Sequence, residues 1–415
     1  MIEYKEHLLS NGLTLITHQD TTTPLAVINI LYKVGSRNES PNRTGFAHLF
    51  EHLMFGGSKH VPDYDKSLQR VGAENNAFTN NDITNFYVVL GAENIETALW
   101  TESDRMQFLN LDKTTLENQK KVVIEEFKQR YLNVPYGDVW LKLRPLSYKI
   151  HPYRWPTIGM KVEHIQEASL DDVESFHDRF YGPENAILTI AGNVDHNYAL
   201  DLAEKWFGQI PGRNYRVQKI HQEPIQTTAQ FEEVQSNVPL DAIYRTFHMP
   251  GRAREKYYAT DLLSDILGRG NSSRLHQKLV KEKEIFNNIS ASIFGSADPG
   301  LLVISGKINS GVDIDYADNY LTETIERLRD SLQDSEIEKV KNQAESSAYF
   351  SDTELLNRSI SLAVASSLGN TNLVNEELKM IHKTNKNEIV NSASEFLTSS
   401  NCSTLHYRSA NSKND

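Results

Sequence analysis

Two histidines and a glutamate lie close together in the stretch AHLFEHLMFGG, residues 47–57. His48 and His52 are four residues apart, and Glu51 lies between them. On a helix, side chains at positions i and i+4 point to the same side, so both imidazoles can bind one zinc ion. Glu51, at i+3, lies on that side as well. It could take a proton from a water molecule on the metal without binding the metal itself.

An ordinary polar helix face is the alternative interpretation. The chain has 14 histidines in 415 residues, so this spacing arises by chance in roughly a few per cent of such chains. The order H-x-x-E-H is the reverse of the H-E-x-x-H arrangement of zinc metallopeptidases. Because Cys402 is the only cysteine, a cysteine zinc cluster and an intrachain disulfide are both excluded. Histidine and carboxylate suit zinc, although they also suit cobalt or manganese.

The composition limits the other classes of function. The net charge is −12 without a long run of one sign, which argues against nucleic-acid binding and against a polybasic membrane anchor. No stretch approaches 18 consecutive apolar residues, so we expect no membrane span. The N-terminus, MIEYKEHLLSNGLTLITHQD, is typical of a first strand rather than a signal peptide. We therefore expect a cytoplasmic protein, or a periplasmic one if a signal peptide has been removed.

Hydrophobic periodicity predicts the elements that position the histidine helix. In the first half we predict strands or strand pairs at 25–36, 75–91 and 184–195, and helices at 44–57, 94–110, 114–131 and 196–208. In the second half we predict strands or strand pairs at 241–251 and 286–308, and helices at 257–268, 315–332 and 335–349. The order is the same in both halves, which indicates an internal duplication with a shift of about 213 residues.

The duplication predicts an α+β fold with two similar domains, residues 1–215 and 225–415. Their boundary lies in the polar connector 210–228. The histidine motif falls opposite the sequence DLLSD, residues 261–265, in the second half. Because the second copy has no histidines there, packing alone does not require them.

The chain resembles the pitrilysin/insulinase-type zinc peptidases, the inverzincins, which include mitochondrial processing peptidase and its bacterial relatives. The resemblance begins with GFAHLFEHLMFGG and covers the whole chain. It continues through VGSRNE (34–39), NNAFTNNDITNFY (75–87), ENQKKVVIEEF (117–127), HPYRWPTIG (151–159) and RFYGPENAILTIAGNVD (179–195). It implies domains with mostly antiparallel sheets packed with helices, which together form half of a clamshell.

The resemblance implies one catalytic zinc ion per chain, with Glu126 as the third ligand and Glu51 as the general base. Glu126 borders the apolar stripe of Val122, Val123 and Phe127, whereas Glu125 should face solvent. Relatives usually carry a second glutamate seven residues before this ligand, but this chain has Gln119. Glutamine can orient a ligand but adds no negative charge. We therefore expect weaker zinc binding than a glutamate would give.

The segment NNAFT (75–79) resembles the edge strand to which these peptidases add an extended peptide substrate. The matching residues are Asn76, Ala77 and Phe78, and the small side chain of Ala77 would let the substrate backbone approach closely. Main-chain hydrogen bonds then supply affinity without a strong sequence preference. An ordinary edge strand is the alternative interpretation.

The second half departs from the family at two positions. Relatives that complete their own site carry an arginine and a tyrosine seven residues apart, where this chain has Val280 and Asn287. Neither side chain can replace its counterpart. The working unit of the family is a clamshell of four such domains, and this chain supplies two. We therefore expect a heterodimer with a homologous partner subunit that carries the pair.

These observations predict a zinc-dependent endopeptidase that cleaves peptides or unfolded segments in a closed chamber. A non-catalytic structural or interaction subunit of a larger complex is the alternative, because some relatives have that role. Those relatives usually have a broken zinc motif, whereas this one is intact. A presequence-processing peptidase is a third possibility, which the negative net charge permits.

Overall fold

The strands of the computed structural model, which describes residues 1–213 and 215–410, form two sheets. The first sheet contains β1 (Lys5–Leu8), β2 (Thr14–Gln19), β3 (Leu25–Tyr32), β4 (Glu74–Thr79), β5 (Thr84–Gly91) and β6 (Ala186–Gly192). The second contains β7 (Gln230–Ser236), β8 (Ala242–Met249), β9 (Phe286–Phe294), β10 (Gly300–Ile308) and β11 (Cys402–Ser409).

Helices pack against both sheets. In chain order they are α1 (Phe46–Leu53), α2 (Tyr64–Gln69), α3 (Ile95–Phe108), α4 (Lys113–Phe127), α5 (Val139–Ser147), α6 (Val162–Gln166), α7 (Leu170–Phe180), α8 (His196–Phe207), α9 (Tyr257–Gly268), α10 (Ile314–Ser331), α11 (Asp334–Thr353), α12 (Leu355–Ser367), α13 (Leu373–Lys383) and α14 (Lys386–Phe396). Within the described ranges, no helix combines the length and apolar character needed to cross a bilayer.

The two sheets have the same strand order apart from the extra strand β1. The first runs β1-β2-β6-β3-β5-β4 and the second β7-β11-β8-β10-β9. One neighbouring pair in each sheet is parallel, β2 with β6 and β7 with β11, and the other pairs are antiparallel. The predicted α+β class with mostly antiparallel sheets is therefore confirmed.

The chain divides into two compact units, each made of three segments. Unit 1 comprises Met1–Lys128, Trp155–Ile220 and Tyr349–Glu376, and unit 2 comprises Gln129–Arg154, His221–Ala348 and Glu377–Asp415. The predicted ranges, 1–215 and 225–415, were each continuous. They differ from the units because two internal segments join the other half of the sequence. Asn214 and residues 411–415, inside the predicted ranges, lie outside the described residues.

The exchanged segments carry α5 and α12, which start 216 residues apart. In unit 1, α12 packs on β3 and β6, where Leu355 contacts Val27 and Ala191. In unit 2, α5 packs on β8 and β11, where its apolar residues join a cluster with Leu405. Each sheet is thus covered on one face by a helix from the other half of the sequence.

Three local predictions differ from the structure in detail. The first twenty residues form two strands, β1 and β2, joined by a turn in which Gly12 has φ +89°. The helix predicted to end at residue 131 ends at Phe127, and a π-helical turn, Lys128–Leu132, follows. The helix predicted at 44–57 is shorter at both ends in the structure, where α1 spans the eight residues Phe46–Leu53.

Candidate metal centre

Packing of α1 against the interior of unit 1 exposes the side of the helix that carries the histidines. Phe46, Leu49, Phe50 and Leu53 are buried, and the ring of Phe50 stacks on Tyr181 with centroids 5.1 Å apart. This apolar side fixes the rotation of α1. His48, Glu51 and His52 therefore lie on the partly exposed side.

Three potential metal ligands meet where α1 packs against α4. Nε2 of His48 lies 3.6 Å from Oε2 of Glu126, and Nε2 of His52 lies 3.5 Å from the same oxygen. The two imidazole rings have centroids 4.8 Å apart. One ligand atom from each residue lies within 4.8 Å of the others. The structure thus brings together side chains that are 78 residues apart, the separation of His48 from Glu126.

The spacing of these atoms fits a tetrahedral zinc site. Zinc bonds of about 2.0–2.2 Å place neighbouring ligand atoms about 3.4 Å apart. The two nitrogen–oxygen distances are close to that value and too long for good hydrogen bonds. The side chains of His48, His52 and Glu126 are 12%, 26% and 18% exposed. Solvent access of this kind suits a catalytic site, which keeps one position for water or substrate.

The residues next to Glu126 on α4 face inward or outward as predicted, except for Val122. Val123 and Phe127 are buried, whereas Glu125 is exposed and its carboxylate lies 2.6 Å from Nζ of Lys128. Val122, predicted to belong to the buried stripe, is 49% exposed. It precedes Val123 by about 100° of rotation, which turns its side chain outward.

Gln119 is half-buried on α4, two turns before Glu126. In the part of the chain that the structure describes, its side chain forms no hydrogen bond, to Glu126 or to any other residue. The orienting hydrogen bond of which a glutamine is capable is therefore not present in the structure. The expectation that glutamine adds no negative charge behind the ligand is unaffected.

The predicted substrate strand, β4, forms one edge of the first sheet and contacts α1. Ala77 pairs with Phe86 of β5, whose ring lies 6.0 Å from that of Phe55, directly beyond α1. Ala77 thus lies on the sheet face that α1 covers. Asn76 and Phe78 point to the opposite face, because successive residues of a strand alternate. Phe78 packs there against an apolar cluster that includes Leu31.

In unit 2, Val280 and Asn287 occupy different environments. Val280 lies in the π-helical segment His276–Glu282 and packs against the core of the unit. Asn287 lies on the edge strand β9 with an exposed side chain. Neither residue presents a cationic or a phenolic side chain.

Sequence reasoning missed the function of Glu39. Its carboxylate accepts hydrogen bonds from the backbone N–H groups of Gly45 and Ala47 at the start of α1, at 2.9 and 2.8 Å. Burial raises the pKa of this carboxyl to about 8, while the bonds from Ala47 and Gly45 lower it. The available signal was the helix start at Gly45, which has no side chain for capping, a few residues after a glutamate.

A buried histidine lies behind α1 on α7. His177 stacks on Phe50 and Tyr181 with near-parallel rings. Burial, together with the nearby positive charge of Arg213, lowers the pKa of His177 to about 3. Its Nδ1 lies 2.8 Å from Nη1 of Arg213, so His177 is a neutral acceptor in the folded chain. It supports the helix and is not available as a ligand.

Comparison with known sequences agrees with this arrangement. The Helicobacter pylori protein named zinc protease PqqE is 29% identical over 340 residues, which covers 80% of this chain and 76% of the relative. The Bacillus subtilis protein named uncharacterized zinc protease YmxG is 27% identical over 392 residues, covering 93% and 91%.

Solved structures share the fold across the whole chain. A protease from Helicobacter pylori has a TM-score of 0.93 at 25% identity and covers 98% of this chain and 100% of its own. A Pseudomonas fluorescens structure described as a peptidase M16 inactive domain has a TM-score of 0.89 at 15% identity, covering 99% and 98%. That likeness concerns the fold alone.

Two family descriptions match separate regions of the chain. Residues 14–134, which contain His48, His52 and Glu126, match the insulinase family, peptidase family M16. Residues 167–344 match the peptidase M16 inactive domain. The matched regions together span most of the chain, and the chain therefore belongs to the M16 peptidase family.

Proposed function

We propose that this chain is a zinc-dependent endopeptidase and the catalytic subunit of a heterodimer. The observation that carries the proposal is the convergence of His48, His52 and Glu126 on one point, with Glu51 on the same side of α1. The names of the relatives support a zinc protease. The intact ligand set favours catalysis over a purely structural role.

The three ligands would hold one zinc ion through two imidazoles and one carboxylate. Zinc, when bound, acidifies a water molecule and polarises the carbonyl of the scissile peptide bond. Glu51 would accept the proton from that water as the water attacks the carbonyl carbon. The same carboxyl then gives a proton to the leaving amine, so that one residue serves as base and as acid.

The substrate in this proposal is an extended peptide or an unfolded segment that pairs with β4. The free edge of β4 offers main-chain donors and acceptors, and the small side chain of Ala77 lies on the face near α1. Asn76 and Phe78 then contribute chiefly through their backbone. This arrangement favours broad selectivity for side chains.

We infer the heterodimer from Val280 and Asn287, which stand where an arginine and a tyrosine would be needed to complete the site. The partner would be a homologous chain that supplies the arginine and tyrosine, and the two chains would together enclose the chamber. A homodimer would contain two zinc sites and neither of those side chains. Strong hydrolysis by the purified chain alone, without a partner, would rule out this assembly.

A non-catalytic subunit is the second candidate, because residues 167–344 match a domain described as inactive. The deciding experiment is Glu51→Gln, with cleavage of a peptide library measured for zinc-loaded protein with and without a homologous partner. We expect zinc binding to persist and hydrolysis to fall by about 10²–10⁴-fold. Glu125→Gln, a matched change at an exposed carboxylate, should leave the rate within about twofold. Equal rates for Glu51→Gln and wild type would favour the non-catalytic role.

A further inference from the structure

The zinc helix α1 begins without a capping side chain of its own. Its N-cap is Gly45, with φ +91°. A Cβ atom at this residue would lie 2.5 Å from the carbonyl oxygen of Ile158, so a serine or aspartate cannot take its place. The first N–H groups of a helix have no partner within the helix. Here they lie in a buried region, where water cannot easily satisfy them.

Glu39 supplies the missing acceptors from outside the helix. One carboxylate oxygen accepts from Gly45 and the other from Ala47, and the side chain is buried. The preceding 3₁₀ turn, Ser36–Asn38, is fixed in turn. The indole of Trp155 donates to the carbonyl of Ser36 at 2.8 Å. The acceptor is therefore held in place before α1 starts.

Among the residues that the structure describes, no side chain caps the equivalent helix of unit 2 in this way. The N-cap of α9 is Lys256, and no side chain caps the first turn through that residue. The Lys256 side chain instead pairs with Glu395. A helix in this position therefore packs on its sheet without a buried carboxylate at its start. The buried carboxylate is thus found at the start of the helix that carries the proposed metal ligands and not at the start of its counterpart α9.

We propose that Glu39 is a positioning residue for the zinc site, acting through the start of α1. This inference rests on the proposed function only in requiring that His48 and His52 bind zinc. His48 directly follows Ala47, so the bond to Ala47 fixes the height and rotation of the first ligand. Metal sites tolerate displacements of only about 0.2 Å from ideal distances. A small shift of the first turn therefore weakens binding.

The test is zinc affinity of the full chain, measured by competition with a chromophoric chelator. Glu39→Gln keeps the shape but replaces one acceptor oxygen with an amide donor that faces an N–H group. We expect the zinc dissociation constant to rise about tenfold or more. Glu39→Asp keeps the carboxyl group but is one methylene shorter, and it should also weaken binding.

The matched control is Asp195→Ala, which removes the cap of α8 in the same unit. Asp195 accepts from the N–H groups of Asn197 and Tyr198, and α8 carries no zinc ligand. The control should lower the melting temperature but leave the zinc affinity within twofold of wild type. If both Glu39 variants also bind zinc within twofold of wild type, Glu39 is only a structural cap and the inference is overturned. A wild-type chain that binds no zinc would instead overturn the proposed function, and this inference with it.

Discussion

The helices α1 and α9 show how one fold serves two purposes. Each follows a central strand, β3 or β8, and packs on a sheet with the same strand order. At the positions of His48 and His52, α9 carries Asp261 and Asp265. The proposed metal ligands are therefore an addition to a helix that is present in both units.

The charged residues of α9 interact with each other and with a nearby arginine. Burial, and then the charge of Asp265, raises the pKa of Asp261 to about 6. Asp265 forms an ion pair of 2.8 Å with Arg269 one turn later. Ser347 of α11 reaches this end of α9, where its hydroxyl accepts a hydrogen bond from Arg269 at 3.0 Å; a serine hydroxyl does not supply the carboxylate that Glu126 supplies on α4. Two carboxylates, one of them paired with Arg269, thus occupy the positions that the two histidines hold on α1.

The largest expected effect comes from exchanging the residues of the two helices. His48→Asp with His52→Asp should weaken zinc binding at least about a thousandfold, because imidazole nitrogens are the principal ligands. Asp261→His with Asp265→His should not create a second site, because the α11 residue that reaches this end of α9, Ser347, has a hydroxyl in place of a third carboxylate. Zinc per chain, measured after dialysis by mass spectrometry, should be zero and one, respectively. A second zinc ion in the α9 variant would show that two histidines on this helix are sufficient.

The next effect concerns the exchanged helices. Leu362 of α12 and Leu143 of α5 are both fully buried, so each change to alanine should destabilise the chain by about 2–5 kcal/mol. Leu362→Ala should reduce hydrogen-exchange protection in β3 and β6, and Leu143→Ala in β8 and β11. Loss of protection that follows the two halves of the sequence, rather than the two units, would contradict the division described above.

The smallest effect is a difference in acid sensitivity between α7 and α14. Both helices begin with a capping box, but the position of His177 in α7 holds Ala393 in α14. The pKa of His177 is about 3 in the folded chain and about 6.5 when unfolded. Below pH 6.5 the unfolded chain binds a proton that the folded chain excludes. The stability present at pH 7 is therefore lost as the pH falls.

His177→Phe tests this difference while keeping a ring against Phe50. Urea unfolding between pH 7.5 and 4.5 should show that wild type loses up to about 1.4 kcal/mol per pH unit more than the variant. Ala393→Val, at the equivalent buried position of α14, should not change the slope. Parallel pH dependences for wild type and His177→Phe would show that this histidine is protonated equally in both states.

Local patterns predicted the features that depend on local geometry. The spacing of His48 and His52, the inward side of α4 and the paired strands were all visible as periodicity. The α+β class and the family were confirmed. The exchange of α5 and α12 was not predictable, because an amphipathic helix shows which side it buries but not which sheet receives it.

Buried charge is the other feature that periodicity conceals. Arg105 of α3 is fully buried, with its guanidinium bound to Glu102 and placed over the ring of Phe86. By residue type, both charged residues would be assigned to the solvent side. The same holds for Glu39, whose carboxyl oxygens accept hydrogen bonds from the start of α1, a helix that begins seven residues later. The hydrogen-bond partners of these residues are close in sequence, but their burial depends on packing against distant elements, such as the ring of Phe86 over Arg105, that no single window of sequence contains.

The exchanged helix α12 also sets an order of events on the ribosome. The first sheet receives its last strand, β6, by residue 192, but the helix that covers one of its faces ends at Ser367. At about 5–20 residues per second, that interval lasts on the order of 10–30 s. During this time the apolar surface around Val27 and Ala191 has no cover from its own chain. A nascent chain halted in this interval should therefore bind chaperones that capture exposed hydrophobic strands, until synthesis of α12 releases them.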